Sequence, residues 1–202
     1  MEIVFSIIVL LFSVVIHEVS HGYVADRLGD PTARLAGRLT LNPARHLDLF
    51  GSIILPLILV ILQTGIIFGW AKPVPYNPYN LKNPDRDSAL IAIAGPISNF
   101  TIAIIFSIFL KVSIALASTI PLFTFAAALS VQVILINIVL AVFNLVPIPP
   151  LDGSKILFAF LRPGSQVRMF LEQYGMFLVI AFIFFGFRII TPIIFTIFNL
   201  LV

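Results

Sequence analysis

Ile3-Val4-Phe5-Ser6-Ile7-Ile8-Val9-Leu10-Leu11-Phe12-Ser13-Val14-Val15-Ile16-His17-Glu18-Val19-Ser20-His21 decides the class of this protein. Only Ser6 and Ser13 interrupt the apolar run ahead of His17, and the run continues to about Ala25. That length suffices to cross ~30 Å of hydrocarbon as a helix of about 20 residues. His17 and His21 stand at i and i+4, so they share one face of that helix. Two neutral imidazoles so placed can bind Zn²⁺, and Glu18 beside them can take a proton from a water that the metal activates. Ionisable groups at membrane depth are costly and mark function. The competing reading is a histidine pair hydrogen-bonded to neighbouring helices beside a protonated Glu18. The chain has three histidines, and two of them are in this motif.

Composition agrees with a membrane setting. The 202 residues are 60% hydrophobic and 10% charged, with a mean hydropathy of +1.12, which is too apolar for a soluble globular domain. We expect an all-α, multi-pass helical bundle of about five to six membrane segments. It would form one membrane-embedded domain over residues 1–202, with a catalytic core over about 1–162 and C-terminal helices over about 167–202. Glu2 replaces the basic residues that open a secretory signal, so the first helix is expected to be retained. With no cysteine, a metal must be held by histidine and carboxylate. The net charge of +3 is too small to indicate nucleic acid.

Helix 1 is expected to end near Asp26. Gly29-Asp30-Pro31 reads as a turn, and the alternation from Arg34 to Leu41 suggests one or two short strands, a small β or loop excursion. Arg27, Arg34, Arg38 and Arg45 concentrate here, which places this loop and the neighbouring histidines on the cytoplasmic side. A second apolar run, Ser52 to Trp70, is interrupted at Gln63-Thr64-Gly65 and reads as a re-entrant hairpin or partial return. The proline-rich loop from Gly69 to Asn80 cannot be helical. Further helices are expected over about 88–117, 122–143 and 153–161, followed by a last apolar stretch from about Val167 with a break near Arg188 and Pro192.

A second constellation is Asn144-Leu145-Val146-Pro147-Ile148-Pro149-Pro150-Leu151-Asp152-Gly153. Prolines end the preceding helix, and Gly153 lets the backbone turn. Asp152 is a candidate third ligand, because a catalytic zinc site of the two-histidine, one-carboxylate type needs one. On its own it would serve as an N-cap of the segment that follows. His46, Asp48 and Glu172 compete for the ligand role. His46 lies among arginines and suits loop packing, while Glu172 can pair with Arg168. Arg27 stands where a third histidine would extend the helical motif. Asn144 has two readings, hydrogen bonding to substrate or satisfying carbonyls freed by Pro147, and Asn99, after Pro96, has the same two.

Taken together these motifs resemble the site-2 protease family of intramembrane zinc metalloproteases. The HExxH motif is His17 to His21, the NxxPxxxxDG motif is Asn144 to Gly153, and GPxxN is Gly95-Pro96-Ile97-Ser98-Asn99. Phe68 to Pro75 is similar to a loop of the compact members. The resemblance covers roughly Ile16 to Leu161. It implies His17, His21 and Asp152 as ligands of one zinc ion per chain, Glu18 as catalytic base, and Asn99 and Asn144 as polar groups that handle substrate. It further implies transmembrane protein substrates, a prokaryotic cell membrane, and no PDZ or CBS domain. The Arg34 to Leu41 stretch and the Trp70 to Asn80 loop are candidates to pair with an unwound substrate strand. An inactive relative that binds a membrane helix or a metal ion is the alternative, and Glu18 separates the two, since ligands alone require no base.

Overall fold

The computed structural model describes residues 2–48 and 72–202, with Gly51, Ile54, Ile58 and Ile61 between them. Helix α1 spans Glu2–Arg27 and is followed by the single turn α2, Thr32–Leu35. An irregular segment, residues 72–77, and a 3₁₀ turn, Pro78–Asn80, lead into α3, Pro84–Ala117. Then come α4 (Leu122–Asn144), the short α5 (Asp152–Phe158), α6 (Gln166–Ala181) and α7 (Phe187–Leu201). Four helical stretches are long and apolar enough to cross a membrane: Val4–Arg27, Pro84–Ala117, Leu122–Asn144 and Gln166–Leu201. The chain is a multi-pass membrane protein.

Three expectations change here. Among the described residues there is no strand, and the Arg34 to Leu41 stretch begins inside α2 and continues through a turn. Its backbone bonds are local, from Ala36 to Thr32 and from Arg38 to Ala33, so the alternation in sequence never finds a ladder partner. The C-terminal stretch is not broken near Arg188 and Pro192: α6 continues into α7 through a π segment, Phe182–Gly186, and α7 runs through Pro192. A π turn absorbs one extra residue without ending the helix. The described residues therefore hold four spans rather than five or six. The expected re-entrant hairpin at Gln63-Thr64-Gly65 lies outside the described residues.

The burial pattern is inverted relative to a soluble protein. Ile7, Ile8, Phe12, Ile104, Ile105 and Ile108 are exposed, whereas Ser13, His17, His21, Asn99, Ser107, Ser113, Ser130, Asn137 and Asp152 are buried. Hydrocarbon solvates the aliphatic faces, and polar side chains turn inward to satisfy one another. The apolar core joins Ala103 and Leu110 of α3, Ile134, Ile138 and Val142 of α4, Val179 of α6 and Ile190 and Ile194 of α7.

Helix directions follow from paired contacts. Ser13, His17 and His21 of α1 meet Asn99, Gly95 and Ile91 of α3 in that order, so the two helices are antiparallel. Ser6 reaches Gln132 and Ser13 reaches Asn137, so α4 runs with α1. Its C-terminal end therefore delivers Asp152 to the end of the bundle where the histidines lie. Asp30 and Asn80 also meet there, so α1 ends and α3 begins at the same end of the bundle.

Candidate metal centre

The site is built where α1, α3 and the start of α5 converge. His17 and His21 lie within about 15 Å of the end of α1, on its buried face, as their i, i+4 spacing requires. Gly95 allows α3 to approach them: a Cβ there would stand 2.5 Å from Cε1 and Nε2 of His17 and 2.6 Å from Cε1 of His21. Pro96 does not break α3, which continues for five further turns or so.

Asp152 is the first residue of α5, and the N-cap is Leu151, with no side-chain capping bond. The carboxylate turns inward instead, with Oδ2 3.0 Å from His17 Nε2 and 3.2 Å from His21 Nε2. Gly153 makes this possible for a reason other than a turn. A Cβ there would lie 2.1 Å from the Leu145 carbonyl oxygen, so only glycine lets α5 start flush against the end of α4.

The outer ring nitrogens define the proton positions. His21 Nδ1 lies 2.7 Å from the Ile91 carbonyl, and His17 Nδ1 lies 2.6 Å from Asn99 Oδ1. Both partners only accept, so both Nδ1 atoms carry hydrogen and both Nε2 atoms of the neutral rings present lone pairs. Two lone pairs and a carboxylate oxygen facing one another call for a cation. The three ligand atoms lie within 4.8 Å of one another, and tetrahedral ligands on zinc bonds of about 2.0–2.2 Å stand roughly 3.3–3.6 Å apart. The donor set therefore fits a zinc ion.

Glu18 points toward the irregular segment 72–77, where its Oε2 accepts the Val74 N–H at 2.8 Å. A cavity of about 120 Å³ is lined by His17, Glu18, His21, Val74, Asn144 and Asp152, among others. Asn144 is half-buried and donates from Nδ2 to the Leu140 carbonyl at 3.0 Å. Asn99 is fully buried behind His17 and does not line the cavity. The competing ligands lie elsewhere. His46 is buried and its Nε2 contacts the Thr40 carbonyl at 2.8 Å, Asp48 accepts the Gly51 N–H, and Glu172 accepts from Arg168 at 3.0 Å.

Several participants escaped the sequence reading. Lys155 Nζ lies 3.9 Å from Asp152 Oδ1 and 5.2 Å from the Tyr76 ring centroid. Asp30, fully buried, accepts from the Asn77 N–H, from Asn80 Nδ2 and from the Thr32 N–H and hydroxyl. Arg38 donates to the carbonyls of Lys72 and Pro73. Together they pin both ends of the segment that carries Val74. Burial alone would raise the Asp30 carboxyl, but its donors Thr32, Asn80 and Asn77 outweigh that and hold it below the usual carboxylate range. Asn137 was detectable in principle, as an amide in the middle of an apolar run.

The model of peptidase family M50 matches residues 5–133 and 112–186, most of the chain. The chain belongs to peptidase family M50, the site-2 proteases. Membership makes it an intramembrane zinc metalloprotease. It is 41% identical over 184 residues to a Bacillus subtilis protein named "Putative zinc metalloprotease YwhC", covering 89% of this chain and 80% of that one. It is also similar to two mycobacterial proteins, each named "Putative zinc metalloprotease Rip2". The Mycolicibacterium smegmatis protein is 28% identical, with 85% of this chain and 63% of that one covered. The Mycobacterium tuberculosis protein is 32% identical, with 77% and 57% covered. No solved structure matches the chain.

Proposed function

We propose that this M50 protease hydrolyses peptide bonds in or near transmembrane segments of other membrane proteins, using one zinc ion held by His17, His21 and Asp152. One observation carries the reading: two imidazole Nε2 atoms and one carboxylate oxygen converge on a cavity whose wall includes Glu18. Zinc bound there supplies a Lewis acid that polarises a carbonyl and lets water ionise near neutral pH.

Glu18 is the proton carrier. The Val74 amide holds its Oε2, so the carboxylate keeps one orientation while it accepts the proton of the attacking water and later hands it to the leaving amine. Asn144 lies on the cavity wall, where its amide can leave the Leu140 carbonyl to donate to a substrate carbonyl as negative charge develops on it. Asn99 holds the His17 ring from behind. A substrate helix must unwind locally before its peptide bonds are open to attack, and the freed backbone then needs polar partners within the protein. A second cavity of about 310 Å³ shares Tyr76 and Lys155 with the first and gives such a strand room. The arginines 27, 34, 38 and 45 at this end of the bundle favour a site facing the cytoplasm, and the bacterial relatives favour a prokaryotic cell membrane. Residues 1–202 act as one protease domain in this reading.

The deciding experiment is Glu18→Gln in the full chain. Cleavage of a transmembrane substrate should fall by about 10²-fold or more, the scale of general-base catalysis, while bound zinc stays near the wild-type amount. Wild-type cleavage by Glu18→Gln, with a chelator control that stops it, would overturn the assignment.

A further inference from the structure

Behind His17 lies a string of polar side chains that the proposed mechanism does not use beyond Asn99. Ser13 of α1, Asn99 of α3 and Asn137 of α4 are 4%, 0% and 0% exposed. Asn137 Nδ2 donates to the Val133 carbonyl at 2.9 Å and to Ser13 Oγ at 3.0 Å. Asn99 Nδ2 donates to Asn137 Oδ1 at 2.9 Å and, at the longer distance of 3.5 Å, to the Ser13 carbonyl, and the His17 Nδ1–H donates to Asn99 Oδ1 at 2.6 Å.

Each link has a direction. A backbone carbonyl can only accept, so Val133 obliges Asn137 to turn its NH₂ toward α4's own turn and its oxygen toward Asn99. That oxygen in turn obliges Asn99 to present NH₂ to Asn137 and oxygen to His17. A reversed Asn99 would set oxygen against oxygen at Asn137 and NH₂ against the Nδ1–H, among side chains that have no exposure to relieve either clash. His21 needs no such relay, because the Ile91 carbonyl receives its Nδ1–H directly.

We propose that Asn137, seated by the Val133 carbonyl and Ser13, is a positioning residue for the metal centre: it sets the Asn99 amide, which keeps the His17 proton on Nδ1 and the Nε2 lone pair facing Asp152. This rests on His17 being a zinc ligand. Asn137→Leu keeps the branched shape with a somewhat larger side chain and removes the acceptor, leaving Asn99 Nδ2 only its long 3.5 Å bond to the Ser13 carbonyl, so that Asn99 can rotate and His17 can adopt the Nε2–H tautomer. Asn137→Asp restores the string, since a protonated carboxyl offers one oxygen to Asn99 and one O–H to Val133 or Ser13. A purely structural knot between helices would make both variants less stable and leave ring protonation and zinc affinity of the folded protein alone.

The test uses the full chain in detergent, labelled with ¹⁵N-histidine, where three histidines give resolvable signals. In chelator-treated wild type, His17 should carry its proton on Nδ1. In Asn137→Leu, the His17 signal should move toward the Nε2–H form while that of His21 does not. Zinc affinity, read by competition with a metal-chelating dye, should fall by roughly 10- to 100-fold, the range for groups that orient a metal ligand. Asn137→Asp should return both readouts to wild type. A folded Asn137→Leu with unchanged tautomer and affinity would overturn the proposal, as would an Asn137→Asp no better than Asn137→Leu. Should Asn137→Leu fail to fold, an Nε2–H His17 in the wild type would still overturn it. A wild type with the Nδ1–H ring that binds no zinc would instead sink the metal assignment and leave the relay standing.

Discussion

Gly95 of α3 and His17 of α1 are in contact from backbone to ring, and a methyl group on Gly95 would stand 2.5 Å from His17 Nε2. Ordinary carbon contacts are near 3.5 Å, so Gly95→Ala must push a ring or a helix by about 1 Å. A metal site tolerates ligand shifts of only a few tenths of an ångström. Gly95→Ala should therefore lose at least roughly tenfold in zinc affinity, and cleavage with it. Ile97→Ala, at an exposed position two residues away, should change neither. Elemental zinc after dialysis reads both.

The third ligand separates in the same way. Asp152→Asn should weaken zinc binding by more than the roughly 10- to 100-fold of an orienting group. His46→Ala and Glu172→Gln, whose side chains are engaged with Thr40 and Arg168, should leave it unchanged. Normal zinc content in Asp152→Asn together with loss in His46→Ala would exchange the two assignments.

Asp30 predicts an acid-dependent stability. Its carboxyl titrates lower in the folded than in the unfolded chain, so the unfolded state takes up the proton first as pH falls. Its contribution is complete above the unfolded value of about 3.9 and is lost as pH drops through the folded value. Asp30→Asn should cost about 2 kcal/mol at pH 7, since it removes charge-assisted hydrogen bonds from a buried group. It should also flatten the acid limb of the curve. Thermal unfolding in detergent at stepped pH checks this, and an acid limb as steep as wild type would refute it.

Topology can be read with single cysteines in this cysteine-free chain. α1 ends and α3 begins at the same end of the bundle, where Asp30 meets Asn80, and Lys155 follows Asp152 at that end. Cysteines at Arg34, Lys82 and Lys155 should thus all label from one face, the cytoplasmic one, with a membrane-impermeant reagent. Labelling of the Lys82 position from the opposite face alone would contradict the arrangement of the helices.

Much was legible in the sequence because the signals were local. Apolar length marks a spanning helix whatever its neighbours, and the i, i+4 spacing puts His17 and His21 on one face of any helix. Asp152 was a candidate on donor chemistry and on the resemblance, with His46, Asp48 and Glu172 competing, and its choice between N-cap and inward-facing carboxylate depends on α4, which brings the start of α5 against the histidines. The strand expected over Arg34 to Leu41 failed because alternation has no force without a partner to complete a ladder. Pro192, near which a break was expected, sits inside a helix whose Ile190 and Ile194 pack into the core of the bundle.

The amino-acid sequence by itself determined a membrane-spanning helical protein with two histidines on one face of its first helix, since hydrocarbon solvation and helical periodicity act within each segment. Only the tertiary structure decided which groups hold those donors in place. The Ile91 carbonyl, the Asn99 and Asn137 amides, the close approach at Gly95 and Gly153, and the Val74 amide on Glu18 join residues far apart in the chain. Their roles arise from directional hydrogen bonds and steric contact between helices, and no spacing along one segment records either.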